Sequence, residues 1–236
     1  TTTAREGAGR RRMDAIAYRF GLPAIPLAIM GMAATVWLAT KSSPSKPILR
    51  STISLDSSDR LYASSAGAKV MAISPDGSTI AYVGGPRAQI FVRRRDEFRS
   101  IVLPETEGAI APDFSPDGKQ LAFGTFQSEM KTISVSGGRP ALVADSVIGR
   151  GQYSWGDDGY IYTIGRYNAV IYRVPEKGGT PTAVTVLDSA ATELAHFSPS
   201  GLPNKSGILF TVALGRRPAQ KTMIAILKPG ETRHSV

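Results

Sequence analysis

The chain has 236 residues, enough for one large domain or two small ones. Its 42% hydrophobic and 20% charged content excludes a disordered chain, and the absence of cysteine excludes disulfides and thiolate-bound zinc. The net charge of +9 raises the question of nucleic acid, but most cations are dispersed and the dense runs lie near the start and at Arg93-Arg94-Arg95. No nucleic-acid partner is expected.

Residues 1–19 form an Arg-rich segment that includes Arg10, Arg11, Arg12 and Arg19. Residues 20–40, "FGLPAIPLAIMGMAATVWLAT", carry no charge. A helix beginning at Pro23 would span roughly 27 Å at its usual rise, close to the thickness of a bilayer core. Pro23 and Pro26 would fall in its first turn, where a missing N–H costs little. Tyr18 and Trp37 would lie near the two headgroup levels. An uncleaved transmembrane anchor is expected rather than a signal peptide cut near Gly31-Met32-Ala33. The Arg excess before the span places the N-terminus in the cytoplasm and the bulk of the chain on the periplasmic side of a bacterial inner membrane. Ala17, Gly21, Ala24, Ala28, Gly31 and Thr35 recur at alternating steps of four and three, a small-residue face for packing against another membrane helix. Residues 41–47, "KSSPSKP", read as a spacer.

From residue 48 onward the chain repeats. Ser74-Pro75-Asp76-Gly77, Ser115-Pro116-Asp117-Gly118, Trp155-Gly156-Asp157-Asp158-Gly159 and Ser198-Pro199-Ser200-Gly201 place the residue before their last Gly at 76, 117, 158 and 200. A spacing near 41 residues fits propeller blades of four strands. Each turn has its reason: Pro presets φ, Asp caps locally and Gly takes the left-handed conformation. The turns lead into "TIAYVG" (79–84), "QLAFGTF" (120–126), "YIYTIG" (160–165) and "GILFTV" (207–212). Third strands are expected at 89–94, 131–135, 169–174 and 222–227, and fourth strands at 99–103, 140–144, 182–187 and 231–236. The fold expected is all-β, a four-blade or partial (open) β-propeller of four-stranded blades preceded by a single transmembrane helix.

The S-P-D-G turn followed by "IAY" or "LAF" resembles the repeats of TolB-type β-propellers. "TEGAIAPDFSPDGKQLAF" (106–123) and "VPEKGGTP" (174–181) are similar to the sensor region of bacterial one-pass serine/threonine kinases, which has a propeller after a membrane helix. The resemblance covers about residues 48–236 and departs from that family twice. Kinase motifs are absent, and family propellers usually have more blades than the four visible here.

Chemistry is sparse. His196 reads as a packed or hydrogen-bonded residue of an inner strand, and His234 falls near the end of the sequence; neither sits in a metal-ligand spacing. Asp76, Asp117 and Asp158 recur because turns need them. No catalytic, cofactor-binding or metal residues are expected, and no enzyme. Trp155 and the aromatics at 123, 126, 160, 162 and 172 are expected to fill blade cores. Arg93, Arg94, Arg95 and Arg99 read first as a solvated hairpin that blunts a sheet edge, and second as a docking patch. The function expected is a non-enzymatic accessory or scaffold subunit of a larger bacterial membrane complex, photosynthetic or respiratory in type. Its partners would be integral membrane subunits and the lipid bilayer. The alternative is a periplasmic ligand- or peptide-binding sensor that signals through its helix.

Overall fold

The structure is a computed structural model describing residues 55, 60–62, 69–145, 148–165, 168–215, 221–231 and 234–235. The anchor, with its small-residue face and its flanking Arg residues, lies outside them. Among the described residues no helix is long and apolar enough to cross a membrane.

All of the architecture is built from antiparallel hairpins. The first sheet runs in the order β1 (Met71–Ile73), β2 (Thr79–Gly84), β3 (Gln89–Arg94) and β4 (Ile101–Val102). The second contains β5 (Ala109–Phe114), β6 (Gln120–Thr125), β7 (Met130–Ser134) and β8 (Ala141–Ala144). The third contains β9 (Ile148–Trp155), β10 (Tyr160–Gly165), β11 (Ile171–Pro175) and β12 (Thr182–Ala183). Among the described residues the fourth has three strands, β13 (Glu193–Gly201), β14 (Ile208–Leu214) and β15 (Lys221–Leu227), with an isolated bridge from Ile226 to Ser235 where a fourth is expected.

The S-P-D-G segments close the first hairpins of two sheets for a polar reason. Ser74 Oγ donates to Asp76 Oδ1 at 2.5 Å and accepts from the Thr79 amide at 2.9 Å. Ser115 does the same with Asp117 (2.7 Å) and the Gln120 amide (2.9 Å). The Ser74 hydroxyl, with the Ser78 amide and hydroxyl, lowers the Asp76 pKa to about 2. In the third sheet Asp158 Oδ1 accepts from the Tyr160 amide instead.

The fourth turn is a correction. Ser198-Pro199-Ser200-Gly201 is not a turn but the end of β13, where Ser200 pairs with Leu209 and Gly201 with Ile208. The register slips between Phe197 and Ser200, and Pro199 is tolerated at that bulge because no ladder bond is asked of it. Reversal happens later, through the 3-10 turn Pro203–Lys205, closed by the Leu202 amide donating to the Gly207 carbonyl at 2.9 Å.

Apolar side chains fill the spaces between successive sheets. Ala81, Val83, Ile90 and Val92 of the first meet Phe114, Leu121, Phe123 and Ile133 of the second. Ala122, Met130 and Val143 meet Tyr153, Trp155 and Ile161 of the third, and Tyr162 and Ile171 meet Ile208, Phe210 and Val212 of the fourth. Each large apolar side chain buried this way contributes about 1.5–3 kcal/mol. Polar clamps join the inner strands as well. Asp113 of β5 pairs with Lys69 and accepts from the Trp155 amide of β9 at 2.9 Å. Ser154 of β9 then accepts from the Gly201 amide of β13 at 2.9 Å. Phe126 departs from expectation: it is exposed and packs beside Tyr62, at 6.0 Å between ring centres.

Two outcomes are expected. A Cβ added at Gly124 of β6 would stand 2.2 Å from the Tyr153 hydroxyl, which is buried without a hydrogen-bond partner among the described residues. Gly124→Ala should therefore cost about 1–3 kcal/mol in urea unfolding, Tyr153→Phe should be near neutral, and the double variant should recover part of the loss. Because the Asp76 pKa is depressed on folding, its contribution is complete above about pH 4 and lost as pH falls toward 2. Thermal midpoints of wild type and Asp76→Asn should differ at neutral pH and converge near pH 2.

Candidate functional site

Three places stand out. The first is the pair of outer sheet faces. Within the first sheet, Met71, Tyr82, Phe91 and Val102 are cross-strand neighbours on the side opposite Ala81 and Val92, and Ile73 pairs with Ile80 on that same side. Met71 is 39% exposed, Ile73 61% and Val102 43%. Within the fourth sheet, Phe197, Thr211 and Ile224 line up opposite the Phe210 side, and Ile224 is 69% exposed. β5 packs against β1, β2 and β3, β9 against β5 and β6, and β13 against β9, β10 and β11, but no strand of the first sheet packs comparably on the fourth.

The second is a groove of about 630 Å³ between the second and third sheets. Its walls include Asp117, Trp155, Asp158, Glu176, Lys177 and Lys205. The Trp155 indole N–H donates to Glu176 Oε2 at 3.0 Å, which fixes the ring.

The third is a polar cluster that joins residues far apart in sequence. Glu193 and His196 stand three apart in β13, a spacing that would normally put side chains on opposite faces of a strand. A register shift between Glu193 and Ala195 turns them together. Glu193 Oε2 then lies 3.0 Å from His196 Nε2, and its Oε1 lies 2.8 Å from Nε2 of His234, in the segment after β15. The Asp188 amide donates to Oε2 at 2.7 Å. His196 Nδ1 is 2.9 Å from the Thr185 hydroxyl, which accepts from the Ile171 amide. The Glu193 carboxylate can only accept, which puts the ring proton on Nε2 and leaves Nδ1 to accept from the Thr185 hydroxyl. Burial lowers the His196 pKa, so the ring is neutral at pH 7, and the Glu193 bonds that oppose the shift do not cancel it. Burial pushes the Glu193 carboxyl up, but the Asp188 amide and the two imidazoles outweigh it, leaving the group below the usual carboxylate range. Phe210 packs against both rings, tilted to His196 and edge-on to His234, at 4.9 and 5.3 Å between centres.

Among the arginines singled out by sequence, Arg93 and Arg94 end β3, and Arg95 and Arg99 lie on the hairpin leading to β4. Arg94 Nε is 3.5 Å from Asp96 and 4.0 Å from Glu97, and Arg93 Nε donates to the Glu97 carbonyl at 3.2 Å. The hairpin partly neutralises its own charge. His196 is a buried hydrogen-bonded residue, as its strand position implied. Glu193, which the sequence did not single out, is the hub of the cluster.

Removing that hub strands several donors at once. Glu193→Ala should cost about 1–3 kcal/mol for each buried donor left without an acceptor, whereas His234→Ala should cost less, since its ring still reaches water. Urea unfolding of the two variants checks the order.

Neither a family model nor a curated protein matches the chain. Solved structures do. The chain is similar to a putative TolB from Agrobacterium tumefaciens, with a TM-score of 0.59 and 14% identity over 75% of this chain and 67% of that one. TolB from Acinetobacter baumannii gives a TM-score of 0.57 and 18% identity over 71% of this chain and 42% of that one. An oligogalacturonate lyase from Vibrio parahaemolyticus gives a TM-score of 0.53 and 13% identity over 72% and 52%. The chain thus spans between 42% and 67% of the length of these structures. At such identities the likeness speaks to architecture, and it shows that the described sheets have a TolB-type, β-propeller-like fold.

Proposed function

We propose that this chain is a membrane-anchored, non-enzymatic scaffold subunit of a larger bacterial membrane assembly, and that its end sheets are docking surfaces. The observation that carries the reading is the exposed apolar character of both outer faces, with Ile73 at one end and Ile224 at the other. A sheet array is stable where faces are covered by faces, and an open arc leaves its two end faces to other subunits. The uncharged residues 20–40, with five Arg before them, support a bilayer anchor with the sheets on the periplasmic side. The non-enzymatic part rests on the described side chains. The Thr185 hydroxyl that donates to His196 is buried together with it, closed off from a substrate, and the carboxylates of the repeat are held by their own turns.

A second reading has its own observation. The groove beside Trp155 has the size of a small-ligand site and convergent charged groups, which fits a ligand- or peptide-binding sensor like the one the kinase resemblance implies.

Photocrosslinking in native membranes separates the two. A crosslinker at Ile73 or Ile224 should capture defined membrane subunits, one at Lys131 should not, and Ile73→Glu should shrink the complex in mild detergent without changing far-UV circular dichroism. A monomer in detergent with no crosslinks from either face would overturn the scaffold reading. Protease added to spheroplasts should digest the sheets and spare a tag at residue 1; loss of the tag alone would reverse the topology.

A further inference from the structure

We propose that Glu193, His196 and His234 form a site for one divalent transition-metal ion of the zinc class, which fastens the segment after β15 onto the fourth sheet. The donor atoms of the three side chains lie within 4.8 Å of one another. Metal–ligand bonds of about 2.0–2.2 Å in tetrahedral geometry place donors roughly 3.3 Å apart. Glu193 holds one carboxylate oxygen 3.0 Å from His196 Nε2 and the other 2.8 Å from His234 Nε2, so the three side chains converge on one centre. Two imidazoles and a carboxylate are a donor set suited to zinc and its first-row neighbours.

The surroundings serve either occupant of that centre. Without metal, Thr185 donates to His196 Nδ1 and Nε2–H bonds to Glu193. With metal, Nε2 must present a lone pair, so the ring proton moves to Nδ1. Thr185 then turns its hydroxyl and accepts that proton beside the Ile171 amide bond, using its second lone pair. The Asp188 amide keeps its bond to Glu193 Oε2 throughout and orients the carboxylate. Phe210 walls one side, and the side chains of His196 and Glu193 are 0% and 4% exposed against 11% for His234. Such a closed, aromatic-lined site suits structural cross-linking rather than substrate access. Thr192, next to Glu193, holds φ at +59°, a conformation that a β-branched residue adopts only where its surroundings demand it.

What the ion would fasten is visible in the sheet. Among the described residues, the segment after β15 pairs with it at the Ile226–Ser235 bridge, and His234 immediately precedes Ser235. A metal bond from His234 to β13 would add a second tie beside that bridge.

The test uses the full chain, solubilised in detergent and stripped with chelator. Calorimetric titration with zinc should give one ion per chain, and cobalt(II) should develop visible absorption of a tetrahedral N/O site that zinc abolishes. His234→Gln should weaken zinc binding at least about 10-fold and Thr185→Val about 10–100-fold, the range for a lost outer-shell partner. Both should keep the far-UV spectrum of the metal-free wild type. Wild type that binds no zinc, or His234→Gln that binds it with unchanged affinity, would overturn the proposal and leave the three residues as a hydrogen-bonded core cluster.

Discussion

Everything in this fold depends on one constraint: a sheet that is apolar on both faces must be covered on both. The central strands show it. β2, β6 and β10 are buried along almost their whole lengths, without the alternation of a sheet that has one wet side. On one face the cover comes from the next sheet in sequence; on the outer face of the first sheet Tyr82 is covered within its own sheet, stacked on Phe91 and donating to Ser100. β15 illustrates the opposite case. Its first four residues are exposed, and only Ala225 and Leu227, on the side facing the third sheet, are buried.

Polar bonds decide how successive sheets line up on that apolar packing. Asp113 and Ser154 occupy corresponding places one step before the turn in β5 and β9, and each accepts an amide from the next inner strand. Hydrophobic contact is non-directional and would tolerate sliding, whereas an amide aimed at one oxygen does not. The side chains that fix the stagger are therefore small and polar, and they sit where apolar residues would be expected.

These particulars explain what could be read from sequence. The first three hairpins were legible because a tight turn demands Asp and Gly in fixed places, with Pro ahead of them in the first two, and the strands beyond them follow from runs of β-formers. The fourth misled because Ser198-Pro199-Ser200-Gly201 has the turn's outline without its Asp. A bulge uses the same residue types, and Pro203-Asn204 a few residues on was the better signal. Phe126 has the composition of a core residue, but its place at the end of β6 leaves it outside the stack. The Glu193 cluster was illegible for a deeper reason. It needs an irregularity in β13 to bring two residues to one side, and a segment 41 positions away to complete it. Neither leaves a spacing that a motif could describe.

The cluster and the exposed end face belong to one mechanical problem. Ile224 points away from the third sheet, while His196, Phe210 and Thr185 lie between the third and fourth sheets. The last sheet of an array would be the first to peel from it, and among the described residues this one has three strands and packs on the third sheet through one face. Buried polar bonds are strong where water is excluded, and those of Glu193 run from the strand to the connection before it and to the segment after it. They hold the fourth sheet from behind, on the side that packs against the third. The outward face can then stay apolar and available without the sheet that bears it coming loose.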